Sequence, residues 1–186
     1  VLPLDDRRVE RFNSDMAGRP TLIRGRTQLI FGGTKRLSES ATLNIKNKSH
    51  AVTAEVNVFA GCAEGVIIAQ GGAFGGWSLY AKEGKFQYCY NFAGLERFYV
   101  RSEQPIPAGK HQLRMEFAYD GGGLGKGGAV TLYIDGHPVG EGRVRMTMPM
   151  IFSGDETTDL GGDVGSPVAE EYGVRGNEFN GTVNLI

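Results

Sequence analysis

From about residue 40 onward, apolar and polar positions alternate with a period of two, the spacing of a half-buried strand. In "AVTAEVNVF", Val52, Ala54, Val56 and Val58 fall on one face, and Thr53, Glu55 and Asn57 on the other. "GVIIAQGG" is a short apolar run ending in glycines, which predicts a strand buried on both sides. "GGWSLYAKEGKFQYCYN" predicts a hairpin: Trp77, Leu79 and Ala81 share a face, "EGK" turns, and Phe86, Tyr88 and Tyr90 share a face on the return. "HQLRMEFAYD" places Leu113, Met115, Phe117 and Tyr119 inward, and "AVTLYIDG" does the same for Val130, Leu132 and Ile134. "NEFNGTVNLI" predicts a closing strand. No stretch carries an apolar stripe at helical spacing. Many short strands between glycine turns predict an all-β fold, an antiparallel β-sandwich.

The first segment, "VLPLDDRRVERFNSDMAGRP", follows neither period. Its apolar residues Val1, Leu2, Leu4, Val9 and Phe12, with Leu22 and Ile23 beyond, cannot add a regular face to a core. Residues 1–35 are therefore expected to be an arm or linker, and 36–186 the sandwich domain. An arm with exposed apolar residues implies a partner, either another domain of the polypeptide or a second copy of the chain.

Composition narrows the picture. The 186 residues are 40% hydrophobic and 22% charged, an ordinary mix for one domain with a real core. The net charge of -1 gives no pull toward nucleic acid or an anionic membrane. No apolar run is long enough for a membrane span, and no signal-peptide pattern opens the chain. The 29 glycines do not repeat in triplets, which excludes collagen and agrees with many turns. Cys62 and Cys89 form neither a disulfide framework nor metal spacing and read as two small buried thiols.

Candidate chemistry is sparse. "DGGGLGKGG", Asp120–Gly128, contains G-x-G-x-x-G after a strand, but a second strand follows where a dinucleotide site needs a helix N-terminus. Asp120 and Gly127 also break the phosphate-loop pattern, so the stretch predicts a long hairpin connection with glycines at positive φ. His50, His111 and His137 stand in separate turn contexts and make no metal pair. No G-x-S-x-G is present. Glu55 and Glu116 are isolated on solvent faces, so the alternating acids of a sandwich glycosidase are missing. Asp155, Glu156, Asp159 and Asp163 crowd one glycine-containing stretch. Such a stretch reads either as a plain solvated acidic loop or as hard oxygen ligands suited to Ca²⁺, with Asp155, Asp159 and Asp163 as ligands, although the spacing is not that of an EF-hand. Asn47 and Asn180 begin glycosylation sequons.

Several long stretches resemble a known family. "RLSESATLNIKNKSHAVTAEV", "IIAQGGAFGGWSLYAKEGKFQYCYNFAGLERF", "FAYDGGGLGKGGAVTLYIDGHPVGEGRV" and "FSGDETTDLGGDVGSPVAEEYG" are similar to the C-terminal region of the large bacterial arylsulfatases, in that order. "LPLDDRRVERFNSDMAGRP" looks like the exit from their catalytic domain. The resemblance implies a concanavalin- or laminin-G-like jelly-roll sandwich that follows a sulfatase domain. That family's nucleophile lies in C-x-P-S-R or S-x-P-S-R, and no proline here precedes Ser-Arg. Asp5 and Asp6 lack the surrounding metal-ligand motifs. The resemblance therefore implies a non-catalytic accessory domain, whose partner is the sulfatase domain of the same polypeptide. The alternative is a carbohydrate-binding module for sulfated glycans, with Trp77 and the tyrosines as stacking candidates.

Overall fold

The computed structural model describes residue 23 and residues 25–186. Ten strands form two five-stranded antiparallel sheets. They are β1 (His50–Val58), β2 (Gly65–Gly72), β3 (Gly75–Lys82), β4 (Lys85–Phe92), β5 (Glu96–Pro105), β6 (Gly109–Tyr119), β7 (Lys126–Ile134), β8 (His137–Met146), β9 (Thr158–Leu160) and β10 (Thr182–Leu185). Sheet A runs β10-β1-β6-β7-β8, and sheet B runs β5-β4-β3-β2-β9. A single 3-10 turn, Glu39–Ala41, is the helical element among the described residues.

The period-two pattern becomes the core. Val52, Ala54, Val56 and Val58 of β1 meet Leu113, Met115 and Phe117 of β6 and Val130, Leu132 and Ile134 of β7 on one inner face. Trp77, Leu79 and Ala81 of β3 and Phe86, Tyr88 and Tyr90 of β4 supply the other. Each large side chain so buried contributes about 1.5 to 3 kcal/mol before entropy is counted. A register shift between Val66 and Ile68 turns Ile67 and Ile68 both into this core, leaving Val66 on the outer face.

Strands β5, β8 and β9 escape the sequence pattern. "HPVGEGRVRM" of β8 buries only Val144, because it closes the sandwich along its edge with β5. Gly140 and Gly142 allow that approach: a Cβ on Gly140 would lie 2.4 Å from the Arg101 carbonyl oxygen, and one on Gly142 2.6 Å from the Val100 side chain.

The opposite edge is closed by the chain entering the domain. Ile30 exchanges backbone hydrogen bonds with Ile186, at 2.8 and 2.9 Å, and Gly32 donates to the Asn184 carbonyl. A few residues later Leu160 donates to the Thr34 carbonyl, and Leu37 exchanges two bonds with Thr158. The segment thus joins β10 of sheet A to β9 of sheet B. The described end of the 1–35 segment, from about residue 28, is tied to both sheets of the sandwich. The tie is made of backbone hydrogen bonds, which apolar periodicity does not report. Residues 1–22, which hold most of the apolar arm positions, lie outside the described residues, as does residue 24.

Candidate functional surface

The outward faces of the two sheets differ. Sheet B turns Val66, Ala69, Ser78, Tyr80, Cys89 and Tyr99 outward, and residues 161–177 cross over them as a strap. Val168 and Ala169 of the strap are fully buried against this face, with Tyr172 packed edge-on to Tyr80 at 5.2 Å. Polar contacts fasten the margin. The Tyr80 hydroxyl donates to Glu171, which also pairs with Arg101. Arg101 Nε donates to Gln87 at 2.9 Å, while Arg97 donates to the Val168 carbonyl and to Glu170.

The acids singled out as Ca²⁺ ligands belong to this strap and its approach. Asp163 is 3% exposed; its Oδ2 accepts from the Val168 N–H at 3.1 Å and the Tyr172 hydroxyl at 2.8 Å. Burial pushes its carboxyl up to about 6, against the pull of those two donors. Asp159 lies within β9, accepting the Arg36 N–H at 2.7 Å and the Thr157 hydroxyl at 3.0 Å. Glu156 accepts the backbone N–H and hydroxyl of Ser166. Asp155 is exposed. The three proposed ligands do not converge, and among the described residues no group of three or more His, Cys, Asp or Glu is placed to hold a metal ion. Two of the three carboxylates already serve as hydrogen-bond acceptors, Asp159 for Arg36 and Thr157 and Asp163 for the strap.

Among the described residues no segment crosses the outer face of sheet A as the strap crosses sheet B. Thr53, Arg114 and Tyr133 stand in register across β1, β6 and β7. Arg114 donates from Nε to Glu116 at 2.8 Å and from Nη1 to Thr53 at 3.1 Å; the Tyr133 hydroxyl reaches Glu116 at 3.3 Å. Glu55, Lys110, Gln112 and Asn184 continue this surface as a shallow open depression toward β10. Glu116, read from sequence as isolated, is thus the centre of a small polar ladder. Cross-strand register, not spacing along the chain, assembles it.

The other candidates resolve into structural roles. Trp77, 4% exposed, donates its indole N–H to Gln70 inside the core, and Tyr88 and Tyr90 are equally buried, so none of these stacks a sugar. The G-x-G-x-x-G stretch is the β6–β7 connection: Gly121, Gly122 and Gly125 have φ of 72°, 74° and 69°. Its Gly125 N–H points to Asn47 Oδ1 at 2.8 Å and its Asp120 pairs with Arg143. Asn47 also donates to the Pro149 carbonyl, and Asn180 bonds the backbone of Cys62 and Glu64, so both sequon amides hold loops together. Burial against Phe117 lowers the pKa of His50. His111 bonds Asp135 at 2.7 Å; Asp135 stays ionised below the usual range because the Gln112 N–H and His111 both serve its charge. His137 is exposed. Only one thiol matches expectation: Cys89 lies under the strap, its thiol pushed up to about 12 by burial, whereas Cys62 is exposed in the loop after β1.

No family model matches the chain, and no curated protein sequence does. Among solved structures it is similar to domains LG4-5 of the mouse laminin alpha1 chain, with a TM-score of 0.53 and 15% identity. That match covers 81% of this chain, which spans 37% of the laminin chain's length. A native heptameric SAP-like pentraxin from Limulus polyphemus also aligns, with a TM-score of 0.48 and 16% identity, over 84% of this chain and 73% of that one. The laminin likeness shows the fold, an antiparallel jelly-roll sandwich of the laminin-G kind.

Proposed function

We propose that the chain is a non-catalytic accessory domain of an arylsulfatase-like enzyme, positioned against the sulfatase domain of the same polypeptide. One observation carries the non-catalytic part. The acid-rich stretch between Phe152 and Gly173 spends Glu156, Asp159 and Asp163 on backbone N–H groups and hydroxyls, including the N–H of Arg36. Side chains so committed stabilise a strap and are not free to activate water or hold a substrate. The sulfatase parent rests on the ordered sequence motifs that resemble that family's C-terminal region.

The test has two parts. The reading frame upstream of Val1 should encode a sulfatase domain with its formylglycine motif. The full polypeptide should hydrolyse a chromogenic aryl sulfate, and the purified 186-residue chain should not. Turnover by the purified chain overturns the non-catalytic reading; an upstream region without a sulfatase domain overturns the parent.

The open face of sheet A favours the second reading, a module that binds sulfated glycans. Arg114 supplies a guanidinium beside Thr53 and the half-exposed Tyr133 ring. Binding of a sulfated oligosaccharide that is lost in Arg114→Ala and retained in Arg101→Ala would move the balance to this reading.

A further inference from the structure

The chain register fixes which turns share an end of the sandwich. His50 of β1 pairs with Phe117, so the β6–β7 connection lies at the His50 end of sheet A, as does Met146, the partner of Lys126. Arg145 pairs with Glu96, which brings the β4–β5 turn to that same end, and Gly76 pairs with Asn91, which brings the β2–β3 turn there too. Each of the three turns carries an outward apolar side chain: Phe74 is 74% exposed, Leu95 82% and Leu124 64%. Met146 adds a fourth, partly exposed. The turns at the other end, 82–85, 105–109 and 134–137, expose no large apolar side chain among the described residues; Phe59, in the loop after β1, is the exception near them. Apolar tips on three separate turns form the kind of surface that marks an interaction site. The charged residues beside them, Glu96 with Arg145 and Asp120 with Arg143, are already paired and supply a self-neutralised rim.

The entering chain selects the occupant. Ile30 pairs with Ile186 and Gly32 with Asn184, so the chain runs backward from residue 32 to 28 toward the His50 end. The described chain ahead of the sandwich is therefore directed at the apolar-tipped end and not at the opposite turns.

We infer that this end, centred on Phe74, Leu95 and Leu124, is the face that docks against an apolar patch of the preceding sulfatase-type domain. The inference rests on the reading of the chain as an accessory domain and adds the surface it uses. Hydrogen exchange tests it, comparing the 186-residue chain with the full polypeptide. Turns 72–75, 92–96 and 120–125 should exchange about tenfold or more slowly in the full polypeptide, with turns 82–85 and 134–137 unchanged. The double variant Phe74→Asp/Leu95→Asp should lose that protection, while the melting midpoint of the isolated chain moves by no more than about 2 °C, because both side chains are exposed. An upstream sulfatase domain that leaves the three turns unprotected overturns the docking face alone. A reading frame with no such domain overturns the face and the proposed function together. Binding of the isolated chain to phosphatidylcholine–phosphatidylglycerol vesicles, lost in the double variant, would assign the face to a lipid surface and also overturn the inference.

Discussion

The two outward sheet faces carry comparable inventories of Tyr, Arg, Glu and Thr or Ser, yet one is interior and the other is surface. On sheet B, Tyr80, Gln87, Cys89 and Arg101 are covered or fastened by the strap, so hydroxyls and charges become hydrogen-bonded structure. On sheet A, Tyr133, Arg114, Glu116 and Thr53 make similar contacts on a partly exposed surface. The same residue types are worth several kcal/mol in the first setting and little in the second, because burial removes the competing solvent. The difference teaches that burial, and not residue type, decides whether these polar groups become structure or remain accessible surface.

The largest expected contrast comes from truncating the two tyrosines. Tyr80→Ala should cost about 3 to 5 kcal/mol, since it empties a fully buried site and removes one hydrogen bond from each of Gln87 and Glu171. Tyr133→Ala should cost less than about 1 kcal/mol. Equal losses in denaturant melts would erase the distinction between the faces.

A pH series sharpens it. Asp163 has a folded value raised to about 6, so its protonated form is favoured by the fold. Its contribution is fully present below the unfolded carboxylate value of about 4 and is lost as pH rises through about 6. Stability of the wild type relative to Asp163→Asn should therefore fall by on the order of 2 kcal/mol between about pH 4 and pH 7. His50 works in the opposite sense: its lowered value holds stability above about 6.5 and loses it below, which is why the comparison must be with the variant. A pH-independent difference would contradict the burial of Asp163. Smaller still, Glu171→Gln should cost about 1 kcal/mol through Tyr80 and Arg101, against less than about 0.5 for Glu116→Gln on the open face. The smallest expected effect is that of Ca²⁺. With Asp159 and Asp163 engaged by the chain, the melting midpoint should not respond to millimolar Ca²⁺ or to chelator. A rise that chelator reverses would return those acids to the role of ligands.

The inner faces were legible because the alternation of β1, β3, β4, β6 and β7 is a local property of each strand. The outer face of sheet B was not. Tyr80 and Cys89 sit at positions that alternation assigns to solvent, and only the fold-back of a segment some ninety residues later buries them. That segment reads as a polar loop because its apolar anchors, Val168 and Ala169, are small and few. The acid cluster pointed to a metal for the same reason: composition shows oxygens in proximity, whereas their acceptor partners, such as the Arg36 and Val168 N–H groups, are backbone and invisible to it. The closing role of residues 28–37 was hidden likewise, because it is made of backbone bonds to two different sheets.

The two cysteines report on the two settings in one experiment. Cys62 is exposed and should be alkylated within the mixing period, while Cys89 lies beneath the strap with its thiol raised to about 12. If the strap is part of the core, Cys89 should react at least about a thousandfold more slowly, at a rate that rises with denaturant in step with global unfolding. A Cys89 rate that ignores denaturant while the strands stay folded would show that the strap lifts by itself, and would contradict the account.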